Sequence, residues 1–180
     1  RRPTVGMLQG HGCWLPVETA DFTTTLSETA DVVDVRLDGA VDALCEKIEG
    51  RPDRQPKFDV LIVAGPDSTF SDRDKLLLDQ YLMNGGNLLW LIDPLATDLD
   101  SLREAKQTLA ITRETGLFDL LFHHGVRLDR DMVLDAQCAP IVLNAGPMGN
   151  QRNMQMFNWY FAPVVLAGPD AHPICACLLY

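Results

Sequence analysis

A chain of 180 residues, 47% hydrophobic and 22% charged, is long enough to bury one substantial core, and a single α/β domain over residues 1–180 is the expectation. Its 15 Lys and Arg against 25 Asp and Glu give a formal charge of -10, which repels nucleic acid and anionic lipid heads unless a basic patch overrides it. None is visible in the string: Arg1 and Arg2 are terminal, and Arg51, Arg54 and Lys57 are interleaved with Pro, Asp and Gln in a segment that reads as a loop.

No run approaches the roughly 18–20 apolar residues that cross a bilayer, and the opening "RRPTVGMLQG" has no signal-peptide core. The chain starts almost at once in an apolar strand and stops in "PICACLLY", as a soluble piece of a longer protein would. The five cysteines, Cys13, Cys45, Cys138, Cys175 and Cys177, contain no CxxC pair, so neither a zinc site nor a full disulfide framework is written, and they lean toward a reducing compartment.

In chain order, Val5 to Leu8 predicts a buried strand followed by the glycine turn "QGHG". Phe22 and Leu26 recur at helical spacing between Val17 and Thr29, although the run Thr23 to Thr25 weakens that helix. "DVVDVRLD" predicts a second strand, and "AVDALCEKIEG" a helix with Val41, Leu44, Cys45 and Ile48 on one face, closed by Gly50. "DVLIVAG" is apolar on both faces, as in a parallel sheet covered on each side. Ser71 and Asp74 form the outline of a capping box, Leu77, Leu78, Tyr81 and Leu82 the stripe behind it, and Asn84-Gly85-Gly86 the stop. "NLLWLID" predicts a fourth buried strand.

This alternation implies parallel pairing and a three-layer α/β sheet. Beyond Leu99 the pattern changes. A helix around Leu117 to His123, ended by Gly125, precedes "DMVLD", "APIVL" and "MQMFNWYFAPVVLAG", which predict further strands and long loops that extend the sheet or form a small β subregion.

Ligands of doubly wound sheets sit beyond the strand carboxyl ends, where the strand order reverses. With a flavodoxin-like order, the turns "GHGCW" and "GPDSTF" would face each other near Asp93, so His11, Asp67, Ser68 and Asp93 form a candidate ligand or partner rim. A phosphate loop does not fit "AGPDSTFSD": it has one Gly, loses an N–H at Pro66, and places Asp67 and Asp72 where they repel phosphate. Nor does a nucleophile elbow, since Ser68 lies between Asp67 and Thr69 rather than between small residues.

No catalytic residue, cofactor or resident metal is therefore assigned. The alternative is a hydrolase or metal-dependent enzyme on the turns after the first, third and fourth strands. It would draw on His11, Asp67 and Asp93 as metal ligands, or on Cys13 or Cys138 with His11, His123 or His124. His123 and His124 also suit the last turn of a helix. The thiols of Cys175 and Cys177 would share one strand face, too splayed for an easy bridge, and His172-Pro173 reads as turn chemistry. Trp159 and Tyr160, in a cluster with Phe157 and Phe161, are a candidate aromatic surface for a sugar or base, with core packing as the other reading.

Several segments together resemble the gliding-motility-associated ABC transporter auxiliary proteins of GldG type, from the group called uncharacterised ABC-type transport system proteins. The similarity is carried by "FDVLIVAGPDSTFSDRDKLLLDQYLMNGGNLLWLIDP" and "GLFDLLFHHGVRLDRDMVLDAQCAPIVLNAGPMGNQ", with "FNWYFAPVV", "HPI" and the early "GHG", after which the family commonly has Glu where this chain has Cys13. The resemblance implies the soluble periplasmic domain of a protein anchored in the bacterial inner membrane, working beside an ATPase and a permease that are separate chains. It also implies a fold similar to class I glutamine amidotransferases without their nucleophile. An extracytoplasmic location runs against the cysteine reading, and the length of the matching motifs outweighs it.

Overall fold

The computed structural model describes residues 1–50, 53–97, 108–148, 151–166, 168 and 170. Two compact units emerge: Arg1–Ala96 with Ala110–Arg130, and Thr97–Leu109 with Asp131–Tyr180.

The first unit is built on a four-stranded parallel sheet in the order β2-β1-β5-β6, from β1 (Thr4–Leu8), β2 (Asp31–Val35), β5 (Val60–Ala64) and β6 (Asn87–Leu91). Strand side chains alternate between two faces, so each apolar run feeds two cores. Leu8, Val35, Leu61 and Val63 face α2 (Asp72–Met83) and α3 (Phe118–His123), packing with Leu77, Leu78, Tyr81, Leu120 and Leu121. Val5, Met7, Ile62 and Ala64 form the opposite core, against which Leu26 of α1 (Ala20–Leu26) packs.

The end signals of α2 and α3 translate into geometry. At the start of α2 the Ser71 hydroxyl accepts from the Asp74 N–H at 3.2 Å while the Asp74 carboxylate accepts from the Ser71 N–H at 3.3 Å, a reciprocal capping box. At its end the Gly85 and Gly86 N–H groups donate to Leu82 O and Tyr81 O, both at 2.9 Å, with Gly85 at φ +89°. This is the paired bonding of a Schellman stop. Gly125 ends α3 the same way, its N–H reaching Phe122 O while the Val126 N–H reaches Leu121 O. Tyr81 is fully buried and donates its hydroxyl to Phe58 O at 2.8 Å; burial pushes its pKa up to about 12.

Three expectations are corrected. The segment predicted as a helix, Ala40 to Gly50, instead turns and enters β3 (Cys45–Lys47), which pairs antiparallel with β4 (Arg54–Pro56). An isolated short helix gains little in water, whereas the hairpin satisfies the backbone and still buries Leu44 and Cys45. Arg54, expected in a loop, therefore lies on a strand. The fourth main strand, β6, is an edge with one covered face: Leu88 and Trp90 pack inward, while Leu89 and Leu91 are 43% and 40% exposed. "DMVLD" forms no strand; the Asp135 carboxylate instead caps the Gln137 N–H at 2.9 Å.

Two short strands, β7 (Leu95–Thr97) and β8 (Ala110–Thr112), pair with each other. In the second unit β9 (Cys138–Met148) and β10 (Gln151–Pro163) form an antiparallel ribbon whose register shifts between Arg152 and Met154 and again between Asn158 and Pro163. "APIVL" and the aromatic segment are thus strands, as expected, in a separate small sheet. Cys175, Cys177, His172 and Pro173 lie outside the described residues.

Candidate functional site

β1 and β5 are adjacent, so the turns that follow them meet, as the sequence anticipates. They interlock through the backbone. His11 O accepts the N–H groups of both Asp67 and Ser68, at 3.1 and 2.9 Å, and the Trp14 N–H donates to Ala64 O at 3.0 Å. The turn after β1 needs an unusual backbone: Gly10, His11 and Gly12 all have positive φ, and for His11, at +53°, that is a conformation L side chains seldom adopt. At Gly12 space adds a second demand, because a Cβ there would sit 1.4 Å from Asp67 Oδ1.

The strained turn aims the His11 ring at the start of α2. Its Nε2–H donates to Asp74 Oδ2 at 3.2 Å, and the ring stacks on Phe70 with centroids 4.0 Å apart and planes 8° from parallel. Its Nδ1 is buried and has no partner among the described residues. Asp74 also accepts from the Ser71 hydroxyl at 2.6 Å. Burial raises the pKa of Asp74, but the hydrogen bonds from Ser71 and His11 outweigh it and hold the carboxyl below its usual range. Asp74 is thus the residue that sequence reasoning assigned only to a cap; its spacing to Ser71 was legible, its pairing with His11 63 residues away was not.

The rest of the rim is drawn in by the segment before α3. Thr69 donates its hydroxyl to Glu114 O at 2.7 Å, and the Phe70 N–H donates to Thr115 O at 2.9 Å. Ser68 turns its hydroxyl back onto Asp67 Oδ1 at 2.7 Å. His11, Asp67 and Ser68 are brought together as anticipated. Asp93, two residues beyond β6, is exposed and makes no hydrogen bond or ion pair with those three among the described residues.

No group of three or more His, Cys, Asp or Glu among the described residues is arranged to hold a metal, so the proposed set His11, Asp67 and Asp93 does not converge. Cys13, beside the turn, is buried; desolvation and the Asp67 charge push its thiol up to about 11, opposite to what a nucleophile needs. The remaining described histidines have other partners. His123 donates Nδ1–H to Asp119 O at 2.7 Å, and His124 donates Nε2–H to Asp79 Oδ1 at 3.1 Å. In the second unit Trp159 packs at 5.5 Å on Phe161, while Tyr160 is half-exposed and its carbonyl accepts the Asp135 N–H.

Fold and site together define a mixed α/β domain whose sheet-end turns are locked to one another and to a helix cap. The chain belongs to the family described as ABC-type uncharacterized transport system, matching it over residues 2–178. That membership assigns a transport-associated accessory role and supports the resemblance at family level. No curated protein and no solved structure matches the chain significantly. Among the described residues no helix is long and apolar enough to cross a membrane.

Proposed function

We propose that the chain is a non-catalytic module of a bacterial ABC transport complex of the gliding-motility-associated, GldG type. It belongs to a parent protein anchored in the inner membrane, faces the periplasm, and acts by protein contact or ligand binding beside a separate ATPase and a separate permease. The observation that carries this is the family match over residues 2–178.

Two features of the fold support it. The strand order β2-β1-β5-β6 suits a core that is flavodoxin-like or similar to class I glutamine amidotransferases. At the elbow position of such a core this chain has Gly65 followed by the buried Pro66, and the next hydroxyl in the chain, Ser68, donates to the neighbouring Asp67 carboxylate rather than to a histidine.

The test is purification of the parent protein from its native membrane in mild detergent, with mass spectrometry of what is retained. An ATP-binding subunit and a permease are expected to co-purify in stoichiometric amounts. Repeated recovery of the protein alone would overturn the proposal.

A further inference from the structure

An apolar pocket of about 240 Å³ opens between α2 and the β3–β4 hairpin. From α2 it is lined by Arg73, Leu76 and Leu77, which share one helix face by their i, i+3, i+4 spacing, and from the other side by Val41, Cys45 and Arg54. Cys45 and Leu77 are buried in its floor, whereas Val41 and Leu76 are 55% and 56% exposed, large apolar surfaces left facing water beside a cavity.

The loop that precedes the hairpin anchors one guanidinium and lies beneath the other. Arg54 donates Nη1–H to Val41 O at 2.8 Å. Arg73 lies over Gly39, which has φ +64° and where a Cβ would come 3.4 Å from the Arg73 Nε. Among the described residues neither arginine forms an ion pair, in a protein whose net charge is -10. An adjoining depression shares Val41 and Arg54 and adds Lys47 and Lys57 together with Asp42 and Glu46, whose carboxylate already accepts a hydrogen bond from Gln55.

Guanidinium groups with no carboxylate partner among the described residues, at the mouth of an apolar cavity, match one ligand chemistry, an anionic head on a hydrophobic body. We propose that this pocket binds a small amphipathic anion, its apolar body on Leu76, Leu77 and Cys45 and its carboxylate or phosphate head on Arg54 and Arg73. The volume lies below the roughly 300–1,000 Å³ of sites for drug-sized ligands, so the body is short. The inference does not rest on the transport role and involves none of the turn residues His11, Asp67 or Ser68.

Isothermal titration of the 180-residue chain with octanoate, octyl phosphate, 1-octanol and octylammonium tests it. Saturable binding of at least one anion is expected, with octanol at least about tenfold weaker and octylammonium silent. The tighter of the two anions identifies the head group, and either preference agrees with the proposal. Arg54→Gln and Arg73→Gln should each weaken the anion about tenfold, the loss of a charge-assisted hydrogen bond. Lys75→Gln, whose amine pairs instead with Asp72 and Asp119, should leave it unchanged. Both arginines lie outside the buried core, and matching thermal transitions will establish that the variants fold. The proposal fails if neither anion binds by about 10 mM, if octanol binds as tightly as the tighter anion, or if the double arginine variant retains full affinity.

Discussion

His11 and Asp74 show how one carboxylate serves two structures at once, capping α2 and holding the turn after β1 against it. Because the Asp74 carboxyl titrates lower in the folded chain than in the unfolded one, its contribution is fully present above the ordinary carboxylate pKa. It is lost as pH falls through the lowered folded value. Asp74→Asn should therefore cost about 1–2 kcal/mol near neutrality and flatten the acid limb of the stability curve below about pH 4. Urea titrations across that range would show it, and an unchanged acid limb would mean that the pair does not couple to folding. A second prediction concerns Cys13. With its thiol moved from 9.0 to about 11, the thiolate fraction at pH 8 falls about a hundredfold, so in native protein Cys13 should alkylate at least that much more slowly than in denatured protein. Peptide mapping after timed iodoacetamide treatment measures the ratio. None of this was legible beforehand: sequence spacing identified Asp74 as a cap and His11 as a rim residue, but a contact across 63 residues has no local signature.

At the scale of elements, the interlocked turns and the helix caps obey different constraints. Gly10 and Gly12 both have positive φ, yet only Gly12 faces a neighbour, the Asp67 carboxylate. Gly10→Ala should cost about 1 kcal/mol, the conformational penalty alone, whereas Gly12→Ala should cost upwards of about 2 kcal/mol because the turns must separate. Thermal melts of the two variants side by side would decide this, and equal losses would mean that the interlock adds no stability. The capping box and both Schellman stops were readable from Ser71, Asp74, Gly85 and Gly125, because caps are set by residues adjacent in sequence. The hairpin of β3 and β4 was not. Leu44 and Cys45 satisfy a helical pattern as well as a turn-and-strand one, and the choice was made by pairing with Arg54–Pro56.

Over the whole molecule, every buried hydrophobic residue among those described, from Val5 to Leu121, belongs to the first unit. A chain ending at Arg130 is therefore expected to unfold cooperatively, with a midpoint within a few degrees of the intact chain. Circular dichroism melts of both would test this, a broad non-cooperative transition counting against it. Among its described residues the second unit holds a long two-stranded ribbon carrying Trp159 and Phe161 in contact, and ribbons of two strands gain little independent stability.

What the sequence by itself determined is whatever depends on near neighbours and on alternation. That includes strands with two apolar faces, a capped helix between them and glycine stops. From these follow parallel pairing and the meeting of the two turns. Only the tertiary structure decided which charges meet. Arg54 and Arg73 are 19 positions apart, and Arg54 read as a loop residue on an acidic chain, until the hairpin that replaced a helix carried it to the flank of α2. Local pattern encodes which face of an element is apolar; the long-range contacts that assemble a binding site are chosen by packing, after the elements have formed.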